Sequence, residues 1–392
     1  MTSVTSLFFG FFLLITVPVY WFLPAKVRSD FLFAASLVFL GTASLKILII
    51  ILLLSGFIYL LGRLLYGRAG GKTIFILGLL VPIVILAYYK YTPLLLQTMN
   101  MAAGYLHRPS LTVPKILVPV GISFFTFKLL HYLIICYRGE EAPGNFRHFL
   151  MYMAFFPIFT SGPIERWPHF AGQQPKFSGS CLTGGIARII TGLLKKKVLA
   201  DNLIVFSNML NAPDVSCWGY WLAAYAYALQ IYFDFSGYSD IAIGSARLFG
   251  YEIMENFNWP YLQRNVSQFW KSWHMTLTGW FTQYIFIPLG GSRGSFLRIA
   301  LNTLVVMAVT GIWHGASWHF MLWGLYHGAG LIVWRIYGRL IGVRLSPALK
   351  DGILLRIAST LITFQFVVLG WVFFATGFRQ SLHVAAKMLL LK

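Results

Sequence analysis

Two histidines stand where an apolar sequence has little use for them. His314 lies in T-G-I-W-H-G-A-S-W-H-F, Thr310 to Phe320, inside a run from Leu301 to Trp334 without Lys, Arg, Asp or Glu. His274 lies in F-W-K-S-W-H-M-T-L-T-G-W-F, Phe269 to Phe281. An ionisable side chain in hydrocarbon is costly, so each is by default a functional-site hypothesis. A neutral imidazole within hydrogen-bond reach of a hydroxyl can take its proton during attack on a carbonyl, and general-base catalysis is the chemistry on offer. The competing reading is a ring that hydrogen-bonds a neighbouring helix and packs. At His314 the flanking Gly311 and Gly315 permit a helix break and close backbone approach, which favours function. For His274 the two readings balance.

The remaining titratable residues offer less. His319 and His327 are two helical turns apart with no acidic neighbour, too far for two ligands of one metal, and are read as packing or cavity-lining residues. His107, His148, His169 and His383 lie near charged or loop-like segments and are read as solvated. Asp234 and Asp240 sit among Tyr232, Phe233, Phe235, Tyr238 and Ile241, and a buried carboxylate needs a partner or must become neutral. An aspartate here could orient a histidine, hold Arg247 or cap a helix broken at Gly237. Glu165-Arg166 reads as a local ion pair at a turn. Cys136, Cys181 and Cys217 are odd in number and lack metal-ligand spacing, which argues against a disulfide framework and against a zinc site. No phosphate-binding loop or dinucleotide fingerprint is present.

The elements that must position these residues follow from composition. The chain is 58% hydrophobic and 11% charged, against roughly 25% charged in soluble domains. An all-α integral membrane protein is expected, with roughly ten spans of about 20 residues, some broken or too short to cross. No internal repeat or long polar linker is visible. One membrane domain, 1–392, is the economical reading: scaffold spans over 1–110, a core over 115–335 and C-terminal spans over 350–392.

The formal net charge of +20 would suggest nucleic acid in a soluble protein. Here the basic residues collect at the ends of apolar runs, at Lys26/Arg28, Arg63/Arg68/Lys72, Lys195–Lys197 and Arg335/Arg339/Arg344. That is the positive-inside pattern of cytoplasmic loops, and it puts the N terminus outside. The first apolar segment lacks a basic n-region and a cleavage site, so it is read as a retained span.

Polar, Gly and Pro punctuation interrupts the apolar runs at Gly121–Phe127, Phe156–Trp167 and Phe233–Asp240. Irregular backbone at membrane depth is tolerated only where protein or a water-filled cavity satisfies it, so the core is expected to enclose a cavity. From Arg264 to Tyr284 large apolar residues recur at intervals of three and four, which predicts one amphipathic helix with His274 at the edge of its apolar face. Asn265 followed by Gln268 marks its start, and Pro288 with Gly290-Gly291 its end.

The two histidine motifs together resemble the membrane-bound O-acyltransferase superfamily over about Pro119 to Gly328. Further segments are similar to its bacterial branch: V-G-I-S-F-F-T-F, F-F-P-I-F-T-S-G-P-I-E-R-W, Q-I-Y-F-D-F-S-G-Y-S-D-I-A-I-G, N-F-N-W-P-Y and Y-I-F-I-P-L-G-G-S-R-G-S. Within that branch Tyr284–Arg293, the S-D-I-A-I-G run and Leu369–Ala375 look like the alginate O-acetyltransferase type. The short chain and F-T-S-G-P-I-E-R are closer to the teichoic-acid D-alanylation type. The first is favoured. Two positions depart from the pattern: Ile135 stands where an acidic residue precedes Tyr137-Arg138-Gly139, and His319 where a small polar residue is usual.

The resemblance implies short re-entrant or broken helices around a central tunnel, with His314 catalytic and His274 its companion. It implies an acyl, foremost acetyl, thioester donor, either acetyl-CoA or the phosphopantetheine of an acyl carrier protein, on the cytoplasmic side, with no permanently bound cofactor and no metal. The acceptor would be the hydroxyls of an exported polysaccharide, and the expected partners are the bilayer and an extracytoplasmic acetyltransferase or export protein, not nucleic acid. The expected place is a bacterial inner membrane. Asn258, Trp313, Trp273, Asp234, Tyr238 and Gln230 are assigned to the substrate cavity, and Lys195–Lys197 would suit donor phosphates. D-alanyl transfer towards teichoic acid is the alternative within the family. A secondary transporter or flippase, or a non-catalytic scaffold, are the alternatives outside it.

Overall fold

The computed structural model describes residues 4–67, 71–213, 215–342 and 352–390. Arg68 and Arg344 of the basic clusters lie outside them. The described chain is helical: α1 Leu7–Phe22, α2 Ala25–Ala43, α3 Leu45–Leu65, α4 Lys72–Tyr105, α5 Ile122–Tyr137, α6 Phe146–Ala154, α7 Trp167–Ala171, α8 Gly179–Leu193, α9 Asp201–Ser207, α10 Cys217–Leu248, α11 Val266–Ser272, α12 Met275–Phe281, α13 Phe296–His314 and α14 Trp318–Tyr337, then Ile353–Ala375 and Phe378–Met388. Among the described residues the one β feature is an isolated bridge, Phe257 to Trp273.

Side-chain caps begin many of these helices. Ser6, Ser44, Asn265 and Ser295 each accept a backbone N–H from the first turn of α1, α3, α11 and α13, which satisfies one of the orphan donors at a helix start. Gly250, at φ +79°, closes α10: its amide bonds Arg247 O and that of Tyr251 bonds Ala246 O. A left-handed residue there costs glycine nothing, because it has no Cβ.

Four helices, α3, α4, α13 and Ile353–Ala375, are long and apolar enough to cross a membrane, and α1 and α5 are shorter apolar helices. Fewer helices qualify than the ten spans expected, because several apolar runs are divided among short helices or diluted by polar residues. Large apolar side chains stay exposed on the long ones, including Leu53, Leu60, Val84 and Ile362. Apolar surface on that scale suits lipid rather than water.

The chain divides into two compact units, one of residues 1–193 and 238–254, the other of 194–237 and 255–392. In the first, α2, α3 and α6 pack together, and α5 rests on α3 and α4. Its core is aromatic: Phe9, Phe12 and Phe39 ring Phe156, and Tyr132, Phe149 and Tyr152 surround Trp167. Lys128 is buried there, its ammonium 4.1 Å from the Tyr152 ring centre and bonded to the Tyr152 and Met153 carbonyls.

In the second unit the dominant pairing is α13 against α14, with Ile353–Ala375 and α11 packed on α14. Its core is built on Trp273, Trp323, Trp371 and Phe269. The uncharged run from Leu301 to Trp334 forms two antiparallel helices that turn at Gly315–Ser317, as its length requires. The three segments expected to be irregular divide: Gly121–Phe127 is the start of α5, regular helix from Ile122. The segment from Phe155 to Arg166 is turns and extended chain, but Phe233–Asp240 is regular helix. α10 runs through Gly237 without a break, and its carboxylates pair with cations rather than capping a helix end.

Candidate active site

The second unit holds both histidines. The helix expected from Arg264 to Tyr284 starts at Asn265 as predicted but is broken at its centre, where α11 ends at Ser272 and α12 begins at Met275. His274 occupies the break in the left-handed region, φ 44° and ψ 54°. For a residue with a Cβ this conformation costs on the order of 1 kcal/mol or more, so the surroundings must enforce it.

The segment Asn256-Phe257-Asn258 does so. Asn256 accepts the Met275 N–H on its backbone oxygen at 2.9 Å. Its fully buried side-chain oxygen accepts the Thr276 hydroxyl at 2.7 Å and the Thr276 N–H at 3.3 Å. Asn258 donates its N–H to Ser272 O at 3.0 Å. These bonds zip the segment against both sides of the break and turn the His274 ring inwards, where it is 1% exposed. The Phe235 ring meets it edge-on at 4.7 Å and Trp313 lies at 6.1 Å.

His314 is the last residue of α13, and Gly315 leaves the helix in extended backbone. A Cβ on Gly315 would overlap the Phe320 ring, so a larger residue at the turn into α14 would have to displace that ring. The His314 ring stands edge-on to Trp323 at 5.1 Å and Phe374 at 5.2 Å and contacts Trp313 at 4.9 Å. It is half-buried, unlike His274. Trp313 neighbours both imidazoles, its ring centre 6.1 Å from that of His274 and 4.9 Å from that of His314. The arrangement is one enclosed imidazole, one accessible imidazole and a shared indole in an aromatic wall. An accessible neutral imidazole can exchange a proton with a bound hydroxyl, while the enclosed one holds shape and polarity behind it.

The other residues assigned to the substrate cavity divide. Trp273 is buried behind His274, against Phe257 at 5.1 Å and Trp371 at 4.8 Å. Asn258 is exposed, and its carbonyl accepts from Gln263. Gln230 accepts the Ser207 hydroxyl on its side-chain oxygen. Asp234 pairs with Lys196, and among the described residues it meets neither imidazole. Tyr238 belongs to the first unit, where its hydroxyl bonds Thr160. Asp240 pairs there with Arg188 at 2.6 Å, and Arg247 pairs with Glu252 at 2.8 Å rather than with either aspartate. Of the lysines considered for donor phosphates, Lys196 and Lys197 are committed to Asp234 and Asp201.

The remaining histidines also differ from their solvated reading in places. His148 packs on Trp167 and Phe170, and His169 binds the buried Glu165 at 2.7 Å while staying half exposed. That hydrogen bond raises the His169 pKa above its ordinary value, against a smaller opposing effect of burial. Glu165 also accepts the backbone N–H groups of Arg166 and Met254, so it organises the turn through His169 and two amides, not through the ion pair with the Arg166 guanidinium that was expected. His327 is fully buried among rings, stacked on Phe269 and edge-on to Trp270. His319 bonds the Ser317 hydroxyl at 2.8 Å. Sequence reasoning passed over Asn256 and His131. Asn256 lay in the quoted N-F-N-W-P-Y segment, where the polar residue before the phenylalanine was the available signal. His131, buried in α5, accepts the Trp167 N–H at 3.0 Å.

Comparison with known proteins gives the family. The model of the membrane-bound O-acyltransferase family matches residues 137–375, which include both histidines. The chain is 34% identical to a probable alginate O-acetylase AlgI of Pseudomonas aeruginosa, over 98% of this chain and 73% of that protein. It is 32% identical to a peptidoglycan O-acetyltransferase of Helicobacter pylori, over 80% of this chain and 63% of that protein. It is 30% identical to a teichoic acid D-alanyltransferase of Streptococcus thermophilus, over 80% of this chain and 85% of that protein. These relatives set aside the transporter, flippase and scaffold readings. The chain belongs to the membrane-bound O-acyltransferase family and is an integral membrane O-acyltransferase.

Proposed function

We propose that the protein moves an acetyl group from a cytoplasmic thioester, acetyl-CoA or the phosphopantetheine of an acyl carrier protein, across a bacterial inner membrane towards hydroxyls of an exported polysaccharide, with His314 as general base. The observation that carries the assignment is the contrast in exposure: His314 is half-open at a helix end, while His274 is 1% exposed beneath Trp313. A base must reach its substrate. The polysaccharide acceptor rests on the resemblance to the alginate O-acetylase of Pseudomonas aeruginosa.

In this reading the acceptor hydroxyl attacks the thioester carbonyl while His314 takes its proton. The C–O bond forms, the C–S bond breaks as the tetrahedral intermediate collapses, and the imidazolium returns its proton to the departing thiolate. Trp313 and Trp323 fix the ring's orientation, and the aromatic wall keeps water from hydrolysing the donor. His274 positions Trp313 and contributes polarity behind it. Asn258 lines the acceptor approach. An extracytoplasmic acetyltransferase receives the acyl group where transfer is completed outside, and the N terminus faces that side.

The test supplies purified protein in lipid nanodiscs with labelled acetyl-CoA or a D-alanyl carrier protein, and with a uronate polysaccharide or teichoic acid. The reading expects label from acetyl-CoA on the polysaccharide. Transfer from the D-alanyl carrier alone would move the assignment to the second reading, which the teichoic-acid relative favours.

A further inference from the structure

The second unit contains a cavity of about 530 Å³ between α11–α12 and the α13–α14 pair. The proposed mechanism does not use it. Its size lies within the range of about 300–1,000 Å³ typical of ligand sites. Lys271, Arg335 and Arg339 all line it, and among the described residues none of them pairs with a carboxylate. Arg335 donates to the Ser292 hydroxyl at 3.3 Å, and Arg339 lies 5.1 Å from the centre of the Phe296 ring. Three cations lining an apolar cavity, with no anion among the described residues to answer them, call for an anionic ligand.

The rest of the lining says what accompanies that charge. Leu277, Phe281, Val306 and Met307 are apolar. Four threonines also line the cavity, but each donates its hydroxyl proton to a carbonyl nearby in its own chain segment: Thr278 to Trp273, Thr282 to Thr278, Thr303 to Ile299 and Thr310 to Val306. The walls therefore offer methyl groups and few free donors, which suits an alkyl chain better than the amide-rich arm of a pantetheine. The indole N–H of Trp270, a lining residue 6% exposed, is buried without a hydrogen-bond partner among the described residues. It offers one further donor for an ester or phosphate oxygen, and a buried donor of this kind normally finds a partner.

We propose that this cavity holds one anionic phospholipid, its phosphate on the guanidiniums of Arg335 and Arg339 and one acyl chain along Leu277, Phe281, Val306 and Met307. The chain points along α13 towards Thr310, one turn before His314, so the lipid braces the helix pair that carries the proposed base. The inference does not depend on the acyl-transfer reading.

Native mass spectrometry and thermal unfolding of the full chain in detergent test it, with phosphatidylglycerol, phosphatidylcholine and 4′-phosphopantetheine as probes. The expected result is one retained phosphatidylglycerol, bound at least about five-fold more tightly than phosphatidylcholine, with a higher Tm as binding to the native state requires. Arg335→Gln/Arg339→Gln should reduce phosphatidylglycerol to the phosphatidylcholine level. Thr303→Trp, which fills the cavity, should abolish the retained lipid. Equal binding of the two lipids by the wild type, or unchanged phosphatidylglycerol binding in the arginine variant, would overturn the proposal. So would displacement of phosphatidylglycerol by 4′-phosphopantetheine, which would give the cavity to the acyl donor.

Discussion

Gly311 and Gly324 face one another across α13 and α14: a Cβ on Gly324 would lie 3.3 Å from the Gly311 Cα and would overlap the Met307 carbonyl oxygen. A Cβ on Gly311 would likewise overlap the carbonyl of Phe320. Small residues that let backbones meet are the means by which helices associate in lipid, where no hydrophobic force draws them together. The pair therefore sets the spacing on which the His314 turn depends. Gly311→Ala and Gly324→Ala should each destabilise by about 1–3 kcal/mol, because the obstructing atoms are backbone and cannot swing away. Gly279→Ala, with nothing within 4 Å, should be neutral or slightly stabilising. Thermal unfolding in detergent reads all three, and equal Tm values would contradict the close approach.

His274 separates conformation from chemistry. Glycine accepts the left-handed backbone that Asn256 and Thr276 impose, whereas a β-branched residue does not. His274→Gly should keep the folded state but lose most transfer activity. His274→Val should lower Tm as well. Chromatographic behaviour and unfolding of the two variants, beside their activities, make the check, and a fully active His274→Gly would remove the ring from the proposed site.

The Lys196–Asp234 pair decides whether Asp234 belongs to the substrate cavity. The pair is partly exposed, at 17% and 47%, so its worth is within about 1 kcal/mol after screening. If the aspartate only answers the lysine, Asp234→Asn and Lys196→Gln should each have small effects and the double variant should lose no more than either. A large loss of activity in Asp234→Asn that Lys196→Gln leaves unchanged would restore a direct role.

His169 gives a pH dependence outside the spans. Its pKa is raised, chiefly by the hydrogen bond to Glu165. The charged form is thus favoured in the folded state, and the stability it contributes is complete below about pH 6.5, the unfolded value. That contribution is lost as pH rises through the higher folded value. The Tm difference between wild type and His169→Gln should therefore be larger at pH 6 than above pH 8. NMR titration of the His169 ring should fall back towards its ordinary midpoint in Glu165→Gln. An unshifted midpoint in the wild type would contradict the bond.

The histidines were legible in the sequence because a polar ring in an uncharged run is conspicuous whatever the fold. The turn at Gly315 was legible for a similar reason, since the run was too long for one span. The break at His274 was not. Its apolar spacing is that of one helix, and the bonds that interrupt it come from Asn256, whose tie to Thr276 is a matter of three-dimensional approach. The aspartates of α10 misled in the same way. Their cations, Lys196 and Arg188, lie far off in sequence, and no local pattern announces a long-range ion pair. Gly237 reads as a helix breaker beside Ser236, yet it sits in an uninterrupted helix, since propensity is a weak prior against packing.

The account rests on proton transfer by His314, and the most direct measurement is acyl transfer by His314→Gln in nanodiscs, alongside wild type. Glutamine keeps a polar side chain at the end of α13 but cannot act as a base. The account predicts normal folding, retained donor binding and a fall in kcat of about 10²-fold or more. A variant that folds and transfers at the wild-type rate would contradict it.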